Sequence, residues 1–221
     1  MGGCKMEHKE QSFKGKTFRV IKGSTHPEYS YFTFEQEESD FRNQYWNIAE
    51  GDVVLDIGSS YGAYALTACA VGATVHAFEP ETSVFYDLVN NITINNWHGK
   101  CFARNMGLWS SVASVDMKSY APHWPQQTIT SDYSMTTVDK FVEDNNISKV
   151  DWMKVDVEGA EEHVIKGALN TIKKFRPKLI IECHVFLNSD IKDNVKALLA
   201  SVQNYELEEV SRPPCIMLVS K

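Results

Sequence analysis

Val53, Val54, Leu55, Asp56 and Ile57 form an unbroken strand-like run, followed by Gly58, then Gly62, then small and apolar residues at helical spacing from Ala63 to Ala70. This pattern predicts a buried strand, a tight turn and a helix. The theme then repeats. Thr74 to Phe78 reads as a second strand ending at Glu79 and Pro80, and residues 81 to 95 place Val84, Phe85, Leu88, Val89 and Ile92 at helical spacing. Cys101 to Asn105 makes a third strand, Trp152 to Val157 a buried fourth, and Ala160, Val164, Ile165, Ala168, Leu169 and Ile172 one side of a following helix. Pro177 stops that helix. Leu179 to Cys183 is another short strand, Asp190 to Val202 is amphipathic, and Tyr205 to Val210 and Ile216 to Val219 close the chain as strands. Strands alternating with helices imply a parallel sheet covered on both faces. Ser211 to Pro214 is too short for a parallel crossover, so the last two strands should form an antiparallel hairpin.

Three stretches depart from the alternation. Ala113, Val115 and Met117 alternate with Ser114, Asp116 and Lys118, as in an exposed strand; Ala121 to Pro125 breaks into a loop, and Thr137 to Asp144 reads as a helix. Residues 1–47 hold nine aromatics in clusters. Thr17 to Ile21 and Tyr29 to Phe34 are expected as the strands of a hairpin, with a helix from Glu35. This part is taken as an N-terminal extension capping one end of a domain that spans residues 48–221.

Composition narrows the partners. A formal charge of −7 over 221 residues argues against a large phosphate-tracking face, so no nucleic acid is expected. The five cysteines are odd in number and form no CxxC pair, which fits a reducing, cytoplasmic setting and suggests neither a disulfide framework nor a thiolate zinc site. No stretch reaches the roughly 18 to 20 apolar residues of a membrane span.

The glycine turn carries the first chemistry. Glycines let a backbone come up against a ligand, and the helix behind them offers unpaired N–H groups. Glu79 ends the second strand roughly 20 residues later, where an acid accepts hydrogen bonds from ribose hydroxyls. Adenine dinucleotides and S-adenosylmethionine both carry such a ribose. A dinucleotide fingerprint wants glycine at position 60 for the pyrophosphate, and Ser60 stands there. The residues therefore favour S-adenosylmethionine, with a nicotinamide-dependent oxidoreductase and a non-catalytic cofactor-binding module as the alternatives.

The stretch from Val150 through Lys154, Asp156, Glu158, Gly159, Ala160 and Glu161 resembles the signature of FkbM-type methyltransferases, a strand running into Lys-x-Asp-x-Glu-Gly-Ala-Glu. Ala77 to Pro80 with Asn91 and Asn95, Met135 to Asp139, and Pro177 to Glu182 are similar to further motifs of that family, in the same order. Where the family commonly shows Ala-Asn-Ile, this chain has Ser59, Ser60 and Tyr61. The resemblance implies a class I Rossmann-like methyltransferase fold, a doubly wound, mostly parallel α/β sheet with one antiparallel strand near the C-terminus. It also implies O-methylation of a small-molecule or glycan acceptor with S-adenosylmethionine. By position, Asp56, Gly58, Ser60, Tyr61 and Gly62 would cradle the methionine end, Glu79 would hold the ribose, and Asn105 and Met106 the adenine.

Open α/β sheets place ligands at the carboxyl ends of their strands. Asp156 with Glu158, and Glu182 with His184, stand at such ends and are the catalytic candidates. His184 is the first choice for general base, because a neutral imidazole is available near pH 7. Asp156 and Glu158 are expected to orient the hydroxyl or the cofactor. A divalent cation held by Asp156, Glu182 and His184 is the variant that these oxygen and nitrogen donors allow. Glu161 and His163 are expected on the exposed face of a helix, and His123 and Trp124 in a turn or a lid.

Overall fold

The computed structural model describes residues 8–21, 36–115, 133–202 and 204–221. The chain enters through a hairpin of β1 (His8–Phe13) and β2 (Lys16–Ile21). Its two-residue turn holds Lys14 and Gly15 at φ 47° and 75°, a turn whose twist matches that of the paired strands. Helix α1 (Gln36–Tyr45) follows. Next come β3 (Val53–Ile57), α2 (Ala63–Val71), β4 (Thr74–Phe78), α3 (Thr82–Ile94) and β5 (Cys101–Arg104). A side region holds β6 (Gly107–Leu108), β7 (Ala113–Val115), β8 (Tyr133–Thr136) and α4 (Val138–Asp144). The remainder is β9 (Trp152–Val155), α5 (Glu161–Lys166), α6 (Leu169–Phe175), β10 (Lys178–Cys183), α7 (Ile191–Val202), β11 (Leu207–Arg212) and β12 (Cys215–Ser220).

The central sheet has seven strands in the order β11, β12, β10, β9, β3, β4, β5. β3 pairs in parallel with both β4 and β9, and only β12 runs against its neighbours. This is the doubly wound, mostly parallel sheet with one reversed strand that the hydrophobic pattern predicts. Alternate residues of β3 face opposite ways: Val54 joins a core with α2, α3 and the hairpin, whereas Leu55 and Ile57 join one with α4 to α7. β3 therefore has no face to show to solvent, which explains why its residues other than Asp56 are all apolar. Among the described residues, no helix is long and apolar enough to cross a membrane.

The N-terminal segment packs into the domain. Phe13, Phe18, Val20, Phe41 and Trp46 belong to the same core as Ala65 and Leu66. Asn91 on α3 stitches the hairpin to the glycine turn, its Oδ1 accepting from Ile21 N and its Nδ2 donating to Tyr61 O. Asn95, one helical turn on, bonds both the N–H and the carbonyl of Arg19. The partner of β2 is β1, a polar stretch that alternation does not reveal; the expected partner, Tyr29 to Phe34, lies outside the described residues, as do His123 and Trp124.

Other differences are local. The helix after β9 is two helices that meet at Gly167, where a Cβ would come within 2.0 Å of Trp109 O. The chain bends there beside the loop that follows β6. β8, parallel to β6 and antiparallel to β7, forms a small sheet of which the alternation at Ala113 and Val115 shows only β7; β6 and β8 are too short to display a period. Thr137 caps α4 by accepting from Lys140 N, and Asp139 accepts from Asn170 N and Thr171 N at the start of α6.

Candidate active site

The glycine turn is built by backbone conformation. Gly58, Ser60 and Gly62 all take left-handed φ, at 74°, 49° and 98°, a region that costs an L side chain roughly 1 to 2 kcal/mol. Gly58 also has no room for a Cβ, which would fall 1.7 Å from Asp156 O. The turn is pinned to the end of β4: Gly58 N and Ser59 N both donate to Phe78 O, while Ser59 Oγ donates to Asp56 O. Tyr61 is buried beside it, and Gly62 opens α2 with no side-chain cap.

Glu79 stands at this turn with its side chain nearly out of solvent. Oε2 accepts from Ser60 N and Oε1 from Glu81 N, each at 2.9 Å. Burial lifts its carboxyl to about 7 despite those two donors. Asn105, the expected adenine contact, spends its amide elsewhere: Nδ2 donates to Glu79 O and Pro80 O, and Oδ1 accepts from Thr82. Those bonds tie it to the loop that carries Glu79. Met106 packs partly buried against the second core. Tyr133 Oη, from β8, donates to Glu81 Oε2. This tie from the small sheet to the end of β4 has no signal in the spacing of the sequence.

Between the turn and the acids lies Lys154, pointing from β9 toward Asp56 of its neighbour β3, with which it is in register. Its Nζ donates to Gly58 O at 2.6 Å and sits 3.5 Å from Asp56 Oδ1 and 3.3 Å from Asp156 Oδ2. Burial opposes its charge, but Asp156 and Asp56 outweigh that and hold the ammonium above its ordinary value. Asp56 is fully buried, and desolvation pushes its carboxyl up against the pull of Lys154.

After β9 the chain turns left-handed at Glu158 and Gly159, φ 54° and 100°. Glu161, expected on an exposed helix face, is instead completely buried. Its Oε1 accepts from Gly159 N at 3.0 Å and lies 2.7 Å from His184 Nδ1, so one carboxylate holds both the turn and the imidazole. The periodicity of α5 could not show this, because the partner comes from the end of β10, 23 residues on. His163 is not a free surface residue either: its ring stacks on Trp109, centroids 3.9 Å apart at 9°.

His184 Nε2 faces Glu158 Oε2 at 3.3 Å and Asp156 Oδ1 at 3.7 Å. Burial alone would lower its pKa, but the bond to Glu161 and the charges of Asp156 and Glu158 raise it to about 9. Three carboxylates around the ring thus favour its protonated form, where the sequence reading expects a neutral imidazole near pH 7. Burial and the charge of Asp156 lift Glu182 to about 7. The ligand grouping also differs from the expected one: Asp156 clusters with Glu158 and His184, while Glu182 groups with His184 and Cys215.

The fold is that of a class I Rossmann-like methyltransferase. Two solved methyltransferases share the fold. One is methyltransferase FkbM from Methylobacillus flagellatus KT, at TM-score 0.63 and 18% identity over 80% of this chain and 46% of that one. The other is precorrin-6y C5,15-methyltransferase from Geobacter metallireducens GS-15, at TM-score 0.56 and 12% identity over 85% and 88%. This chain thus aligns with less than half the length of the Methylobacillus protein. Residues 52–207 match the methyltransferase FkbM domain, and the chain belongs to that family. It is also 31% identical over 169 residues to hexuronic acid methyltransferase AglP of Haloferax volcanii, covering 74% of this chain and 68% of that protein.

Proposed function

We propose that the chain is an S-adenosylmethionine-dependent O-methyltransferase acting on a hydroxyl of a sugar or small metabolite. The observation that carries this reading is Glu79, a buried carboxylate tied by Ser60 N to a turn that leaves no space for a Cβ at Gly58. Such an acid suits a ribose, whose hydroxyls supply the donors that burial denies it. The turn from Asp56 through Gly62 suits the methionine end, and Lys154 neutralises the acids beneath it. The name of the Haloferax relative points to a glycan-type acceptor carrying a uronic acid.

When bound, S-adenosylmethionine would supply an electrophilic methyl group, which would pass in line to the acceptor oxygen as its bond to sulfur breaks and neutral S-adenosylhomocysteine leaves. The chain's residues have two tasks. Holding the partners in line is worth up to about 7 to 11 kcal/mol. Removing the hydroxyl proton typically contributes about 10² to 10⁴ in rate, most when the base titrates near the working pH. Glu182, lifted to about 7, meets that condition better than His184. Asp156 and Glu158 face the imidazole and orient the acceptor.

Incubation with methyl-labelled S-adenosylmethionine and a panel of neutral and uronic-acid glycans tests the reading. The expected product carries label in an alkali-stable methyl ether. Label released as methanol by mild alkali would mean esterification of a carboxyl group and would contradict hydroxyl transfer. An absence of transfer to every glycan by a chain that binds S-adenosylhomocysteine would favour the non-catalytic module.

A further inference from the structure

The acceptor side of the site carries a mixed donor set. One ligand atom from each of Asp156, Glu158 and His184 lies within 4.8 Å of the others. An octahedral cation with bonds near 2.1 Å places cis donors about 3 Å apart and trans donors about 4.2 Å apart. The separations of 3.3 and 3.7 Å from His184 Nε2 to Glu158 Oε2 and Asp156 Oδ1 are close to the cis value. Small side-chain movements would complete the geometry.

The surroundings prepare these three groups for a ligand. Glu161, completely buried, binds Nδ1 at 2.7 Å and thereby turns Nε2 toward the two acids. A carboxylate on the far nitrogen is the arrangement that fixes the ring orientation of metal-binding histidines and raises their basicity as ligands. Lys154 engages Asp156 Oδ2, leaving Oδ1 on the histidine side. The side chains of Asp156 and Glu158 are 29% and 41% exposed, so an ion can enter and keep water on its outer side.

We infer that Asp156, Glu158 and His184 form a binding site for one divalent cation of the Mn²⁺ type, with Glu161 as the positioning residue. Two carboxylate oxygens suit a hard dication, and the imidazole, giving up its Nε2 proton as the ion binds, favours a transition metal over Mg²⁺ or Ca²⁺. Three protein donors leave about three octahedral positions for water or for oxygens of the acceptor. The inference deepens the acceptor side of the proposed methyltransferase site, but the binding of the ion does not depend on the cofactor reading.

The test is a titration of the chelator-stripped full chain with MnCl₂ alone, free Mn²⁺ being read from its solution EPR signal. One Mn²⁺ per chain with sub-millimolar affinity is expected. Glu158→Gln, at a side chain open to solvent, should weaken binding at least about tenfold, and Glu161→Gln should weaken it about 10- to 100-fold through His184. If Glu161→Gln does not fold, Glu158→Gln decides. Wild-type protein that binds no Mn²⁺ at millimolar concentration, or a folded Glu158→Gln that binds it as tightly as wild type, overturns the site. Titration of the same preparations with S-adenosylhomocysteine keeps the two readings apart: a failure there counts against the cofactor assignment and leaves the Mn²⁺ result standing.

Discussion

The ends of β3 and β4 and the ends of β9 and β10 lie side by side, yet they are made differently. The first region is chiefly backbone, with left-handed residues at 58, 60 and 62, the N–H groups of Gly58 and Ser59 bonded across to Phe78 O, and one buried acid. The second is chiefly side chains, in which Asp156, Glu158 and Glu161 surround one imidazole. Backbone geometry suits a constant ligand that must always sit in one place. Charged side chains on partly exposed stems suit a variable one, such as an acceptor. The regions meet where Gly58 passes Asp156 O and where Lys154 joins Gly58 O to Asp156.

The most forceful way to break this contrast is at that meeting point. Gly58→Ala puts a Cβ 1.7 Å from a carbonyl oxygen at a positive φ, a combination expected to cost about 4 kcal/mol or more. For a chain of this size that lowers the melting temperature by roughly 8 to 16 °C, and S-adenosylhomocysteine binding should be lost with it. A melting temperature and affinity equal to wild type would show that the two regions do not touch as described.

A smaller effect sharpens the contrast through pH. Because burial holds Glu79 at about 7, the unliganded protein at pH 6 carries it mostly protonated. Ribose hydroxyls donate to the ionised form, so binding releases a proton. Affinity should therefore rise by up to about tenfold per pH unit below 7 and level off above it. The sign for the empty fold is the opposite: a raised acid makes it less stable as pH climbs from the ordinary carboxylate range through 7. Calorimetry between pH 5.5 and 8 checks the first trend. A flat profile, or an affinity that falls with pH, would remove Glu79 from the ribose.

The backbone half was the legible one. Strand, turn, helix and terminal acid are local features, and the interval from Gly58 to Glu79 is one βαβ step, so spacing alone brings them together. The side-chain half was read only in part. Asp156, Glu158 and His184 stand out in the sequence by their places at strand ends, but their electrostatics hinge on Glu161, which joins His184 only after α5, α6 and β10 have folded back. That pairing hides an acid the helical pattern assigns to solvent, and it favours the protonated form of His184. Asn105 shows the same limit, since its position after β5 was clear but its bonds to Glu79 O and Pro80 O were not. The β1–β2 hairpin was half visible, with Thr17 to Ile21 recognisable and His8–Phe13 too polar to suggest a strand.

The central claim is that the turn and Glu79 together hold the cofactor. Titration of S-adenosylhomocysteine into wild type and Glu79→Ala at pH 8, with melting curves to confirm folding, tests it most directly. Hydrogen bonds to a charged group are worth about 1.5 to 3 kcal/mol, so loss of the ribose contacts should weaken binding by about a hundredfold. A folded Glu79→Ala that binds as tightly as wild type would contradict the account.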